Sequence, residues 1–165
     1  MEKHPVGYDI YIQTPNGRLA EGEENYFRFE LVPRLRALDT MSHFGMLTDL
    51  PYPSIPLPSA YGLTEMDLEP GVKHDLNITN RIAEYTSVYR AVMDAAEPEP
   101  TGIPKYKLAY NDGSLVTVTE ITAALSAYEA HPSVAIAEVP IGDPTWRHWI
   151  AFLRRAKDHG GLRAY

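Results

Sequence analysis

At 165 residues with a formal charge of −7, from 22 acidic and 15 basic side chains, the chain fits one domain spanning 1–165, able to bury roughly 70% of its unfolded surface. Hydrophobic content of 44% and charged content of 22% argue against whole-chain disorder or coiled coil, and the acidity argues against nucleic-acid binding by bulk electrostatics. The absence of cysteine excludes disulfides, thiolate metal sites and cysteine nucleophiles.

No apolar stretch approaches the ~20 residues of a membrane span, and the first residues, Met-Glu-Lys-His-Pro, lack the apolar core of a secretion signal, so a cytoplasmic location is expected. The acidity is uneven. Residues 1–50 carry 5 basic and 8 acidic side chains, 51–104 carry 3 and 8, and 105–165 carry 7 and 6. Fourteen prolines exceed the average share of about 5%, and they cluster at 51–58 and 98–104.

Tyr8, Ile10 and Ile12 alternate with polar or amphipathic neighbours, the period of a half-buried strand, and Pro15-Asn16-Gly17 makes a turn. Residues 25–32 read as a strand through Phe27, Phe29 and Leu31, although Asn25 could instead cap a helix. Pro33 suits a first helical position, with Leu35, Leu38 and Met41 or Ser42 on one face and Gly45 as the stop. Residues 50–71 hold five prolines after Leu50, which forbid a central strand or long helix and predict a long loop. Asp75 caps the next predicted helix, whose stripe is Ile78, Ile82, Tyr85, Tyr89, Val92 and Ala96; Pro98 and Pro100 end it.

Residues 105–110, the turn at Asp112-Gly113 and residues 115–118 read as a β-hairpin. Thr117 and Glu120 have capping-box spacing before a helix with Ile121, Ala124, Leu125 and Tyr128 inward. Residues 134–139 suggest a short strand. Asp143-Pro144 then opens a last helix that buries Trp146, Trp149, Ile150 and Leu153, stopped by Gly160-Gly161 and followed by a short edge strand at 162–165. The expected fold class is α+β: a small mixed or antiparallel sheet with about four helices packed on it and a long proline-rich loop.

Phosphate-binding glycine loops and the serine-hydrolase elbow are absent, and the six histidines show no helical His-x-x-x-His pair, so no cofactor and no metal are expected. Carboxylate spacing selects no acid–base pair, and catalytic residues stay unassigned. Tyr26 and Arg28 are candidate ligand residues, because an arginine among aromatics can hold an anionic or planar group such as a nucleotide; the competing reading is a strand whose alternate face is solvated. Tyr52, Ile55, Leu57 and Tyr61 are candidate partner residues, since proline-rich chain loses little entropy on docking. Packing of that loop on the protein's own core competes with a partner role.

The sequence Tyr26-Phe27-Arg28, with the tryptophan segment from Trp146 to Arg154 and Gly160-Gly161, resembles a group of small proteins of actinobacterial phages and their hosts. The resemblance implies a cytoplasmic accessory protein made in an infected cell, and it carries no activity. Three functions follow in order of preference: an interaction protein binding a protein partner or a second copy of itself as a homodimer, a binder of an anionic small molecule, and an enzyme without a recognisable motif.

Overall fold

Alternating apolar side chains give the first strand one face to bury, and the cross-strand partners sort by face. In the computed structural model, which describes residues 7–131 and 144–165, β1 (Gly7–Ile12) pairs antiparallel with β2 (Tyr26–Glu30), setting Ile10 opposite Phe27 and Tyr8 opposite Phe29. These four face the core. Asp9 opposite Arg28 and Tyr11 opposite Tyr26 take the other face.

The competing helix at 25–32 is confined to one 3₁₀ turn, Glu23–Asn25, after which the chain is extended. Helix α1 (Leu31–His43) starts two residues before Pro33, a position that tolerates proline because the first four helical N–H groups have no intrahelical acceptor. Its buried face is Arg34, Ala37, Leu38 and Met41, whereas Leu35, expected inside, is half exposed. Gly45, at φ +70°, ends it.

The chain divides into two compact units: residues up to Pro51 together with Ala96–Tyr165, and Tyr52–Ala95. In the first, β3 (Leu47–Thr48) pairs in parallel with β4 (Ile103–Pro104). The predicted hairpin is corrected here. Residues expected as its first strand form a single helical turn, α3 (Tyr106–Ala109), and β5 (Leu115–Val116) pairs with β6 (Leu162–Ala164). Strand β6 is not an edge; the order is β2-β1-β6-β5, all antiparallel.

Gly161 explains how β6 enters the middle of the sheet. Its φ is +91°, and a Cβ there would strike the Val116 carbonyl. Its own carbonyl accepts from the Gln13 N–H at 2.9 Å, while the Gly160 N–H donates to Gln13 O at 2.6 Å.

Helix α4 (Val118–Glu129) begins with the predicted capping box: Thr117 Oγ1 accepts from the Glu120 N–H at 3.2 Å, and Glu120 Oε2 accepts from the Thr117 N–H at 2.9 Å. Ile121, Ala124 and Leu125 are buried, with Tyr128 partly so. Helix α5 (Pro144–Lys157) buries Trp146, Trp149, Ile150 and Leu153 as expected. Trp149 lies 5.4 Å from the Phe27 ring and 4.8 Å from Phe29, and its indole N–H donates to Met41 Sδ at 3.3 Å. The strand expected at 134–139 and the cap at Asp143 lie outside the described residues. The fold is mixed α+β, and no helix among the described residues is long and apolar enough to cross a membrane.

In the Tyr52–Ala95 unit the proline-rich stretch is not featureless. It folds into 3₁₀ turns at Pro58–Tyr61 and Glu65–Leu68, both packed against helix α2 (Leu76–Met93). The Asp75 side chain caps α2 by accepting from the Ile78 N–H at 2.9 Å. Within the predicted stripe Tyr85 is buried, Ile78, Ile82, Tyr89 and Val92 are half-buried, and Ala96 falls beyond the helix and is exposed. The helix stops at Met93, ahead of the prolines expected to end it.

Candidate functional site

Short polar contacts shape the Tyr52–Ala95 unit where regular structure cannot. Thr64 donates both its N–H and its hydroxyl to Asp67 Oδ2, at 2.7 and 2.9 Å, closing a capping box over the second 3₁₀ turn. Those two bonds, the backbone N–H foremost, and the neighbouring His74 hold the Asp67 carboxyl below its ordinary range. The Asp67 carbonyl accepts from His74 Nε2 at 2.8 Å, so that nitrogen carries the proton, and His74 Nδ1 lies 3.9 Å from Asp67 Oδ1.

Between this turn and α2 runs an open groove of about 520 Å³. Asp67, Leu68, Glu69, Val72 and His74 form one wall, and Ile82, Tyr85, Thr86 and Tyr89 of α2 form the other. The tyrosines continue as a ladder, with Tyr61 set edge-on to Tyr85 at 5.6 Å and Tyr85 6.0 Å from Tyr89. Of the four candidate partner residues, Leu57 (65% exposed) and Tyr52 are exposed, Ile55 and Tyr61 are half-buried, and Tyr61 joins the aromatic ladder beside the groove. The groove itself escaped sequence reading, because its walls come from a non-repetitive turn and from a helix stripe that looks like ordinary core.

Tyr26 and Arg28 lie on the solvated face of β2, while Phe27 and Phe29 turn to the core. Arg28 Nη1 donates to Asp9 Oδ1 at 2.8 Å and its Nε to Glu30 Oε1 at 2.9 Å, so an anion approaching the guanidinium meets two carboxylates. The Tyr26 hydroxyl donates to Asp9 Oδ1 at 2.6 Å. That bond foremost, with Arg28, lowers the Asp9 carboxyl, and the same bond foremost, with burial and the Asp9 charge, raises the Tyr26 phenol against the opposing pull of Arg28. Tyr11 stands 5.2 Å from Tyr26 and 6.1 Å from Tyr165, completing a polar and aromatic surface.

A buried ion pair joins α3 to α4, and no motif announces it. Lys107 Nζ donates to Glu120 Oε1 and Oε2 at 2.9 and 3.1 Å and to the Leu115 carbonyl at 2.7 Å, with both side chains at most 1% exposed. Burial, together with the negative charges of Glu120 and Asp112, raises the nearby Tyr106 phenol. Ser114 is buried and donates its hydroxyl to Asp112 Oδ1 at 2.8 Å, in the tight turn expected for a small polar residue. His148 is exposed, and His159, just past the end of α5, sets its Nδ1 2.8 Å from the Arg155 carbonyl. Among the described residues no group of three or more His, Asp or Glu could hold a metal ion. No family model, curated protein or solved structure gives a significant match to the chain.

Proposed function

We propose that this is a non-enzymatic interaction protein that docks a protein partner on the Tyr52–Ala95 unit. The distribution of apolar side chains carries the reading. Of thirteen large hydrophobic residues exposed among those described, six lie here: Tyr52, Leu57, Met66, Val72, Leu76 and Val88. The buried hydrophobic set of the same unit is Leu63, Tyr85 and Met93. A segment that hides so little and shows so much gains most by covering its surface with another chain. Chain already fixed by prolines and capped turns also loses little entropy when it is covered. This reading accommodates the accessory role that the phage resemblance implies.

The test is selection of a displayed random dodecapeptide library on the immobilised full-length chain. Binders are then measured against a Leu57→Asp/Leu76→Asp variant. Both leucines are more than three-fifths exposed, so the variant is expected to fold with stability within about 0.5 kcal/mol of wild type per substitution. Selected peptides are expected to lose about tenfold or more in affinity for it. A wild-type dimer that the same variant dissociates, by light scattering, would make the partner a second copy of the chain. Failure to enrich any peptide in a protein that is monomeric throughout would overturn the proposal.

A further inference from the structure

Leu68, Val72 and Ile82 give the groove aliphatic contact, and Tyr85 and Tyr89 add aromatic contact, but its charge is one-sided. Asp67 and Glu69 line it, and no lysine or arginine does among the described residues. Asp67 is engaged by Thr64 and faces His74. The Glu69 carboxylate has no hydrogen bond or ion pair with any described residue. Across residues 52–95, six carboxylates outnumber three cations, Lys73, Arg81 and Arg90.

An apolar segment laid into this groove takes water away from Glu69. A neutral occupant therefore leaves a carboxylate desolvated without a partner, and an acidic one adds repulsion. An occupant that brings its own cation beside its apolar residues removes that cost.

We infer that the groove between the 64–74 turn and α2 takes a peptide segment in which aliphatic residues alternate with or adjoin arginine or lysine. The inference rests on the reading of the Tyr52–Ala95 unit as a protein-docking surface, and it names the chemistry of the partner.

The experiment uses the full-length chain and three fluorescein-labelled dodecapeptides: alternating leucine–arginine, its leucine–citrulline isostere and leucine–glutamate. Fluorescence anisotropy is expected to rank the arginine peptide about tenfold or more above the citrulline peptide, with the glutamate peptide weakest. Glu69→Gln is expected to remove most of that preference, whereas Glu84→Gln, which makes the same change in net charge on α2 outside the groove, keeps it. Equal binding of the arginine and citrulline peptides, both lost in Leu57→Asp/Leu76→Asp, overturns the cationic partner and leaves the docking surface standing. An arginine preference unchanged by Glu69→Gln also overturns it, as bulk attraction to an acidic protein. Absence of binding by all three peptides, with no enrichment from the random library, overturns the docking surface and this inference together.

Discussion

Asp9 holds two donors on one oxygen, the Tyr26 hydroxyl at 2.6 Å and Arg28 Nη1 at 2.8 Å. The cross-strand register makes this arrangement, because Asp9 sits directly opposite Arg28 on the solvated face. Tyr26→Phe removes the larger cause of the lowered Asp9 carboxyl, so Asp9 is expected to titrate at higher pH in the variant, read by carboxyl-carbon NMR. The folded value lies below the unfolded one. The stabilisation is thus present above the ordinary carboxylate pKa of about 3.9 and is lost as pH falls through the folded value. The stability gap between wild type and variant is expected to be widest near neutrality and to close in acid. It stays under about 1 kcal/mol, because Asp9 and Arg28 are more than a third exposed and solvent screens them. A gap that persists below about pH 2 would mean that the lost tyrosine contact, and not Asp9 ionisation, sets the difference.

Elements with a one-dimensional signature were legible, and those defined by a distant partner were not. The tryptophan stripe of α5, the Asp75 cap of α2 and the Thr117/Glu120 box of α4 each depend on spacing within a few residues, and each stands as read. The turn signal at Asp112-Gly113 was also sound, since Gly113 has φ +84°. Local alternation could not say that β5 would pair with β6, nearly fifty residues on, in place of the stretch before the turn. That preceding stretch is drawn into helix α3, where Lys107 reaches both the Leu115 carbonyl and Glu120. Glu120 therefore serves two elements, as the N3 residue of a capping box and as the counter-ion of a buried lysine. Lys107→Met is expected to cost about 3–5 kcal/mol in denaturant unfolding, because it strands a buried carboxylate. Adding Glu120→Gln is expected to recover most of that loss, since the neutral amide carbonyl still accepts from the Thr117 N–H. A single-variant cost under about 1 kcal/mol would show that water reaches the pair.

At the scale of the whole molecule, composition pointed to a normal core, and the core is there but unequally shared. Residues up to Pro51 with Ala96–Tyr165 hold twenty-two of the twenty-five buried hydrophobic residues among those described, and Tyr52–Ala95 hold three. The sequence hid this disparity. The apolar positions of α2 recur at threes and fours, although its apolar and polar faces separate less sharply than those of α5, and such spacing reports which face is apolar without reporting how deeply it is covered. Burial is what resists opening, so the two units are expected to differ in local stability even where both are helical. Native-state hydrogen exchange measures this directly. Backbone amides in the middle of α2, such as those of Tyr85 to Tyr89, are expected to exchange through a sub-global opening at about tenfold or more lower protection than those of Trp149 to Leu153 in α5. Equal protection that falls together in denaturant would show one cooperative unit, and the exposed side chains of Tyr52–Ala95 would then be decoration on a rigid surface. Lower protection that rises when a library-selected peptide is added would instead identify the lightly buried unit as the part of the chain that binding completes.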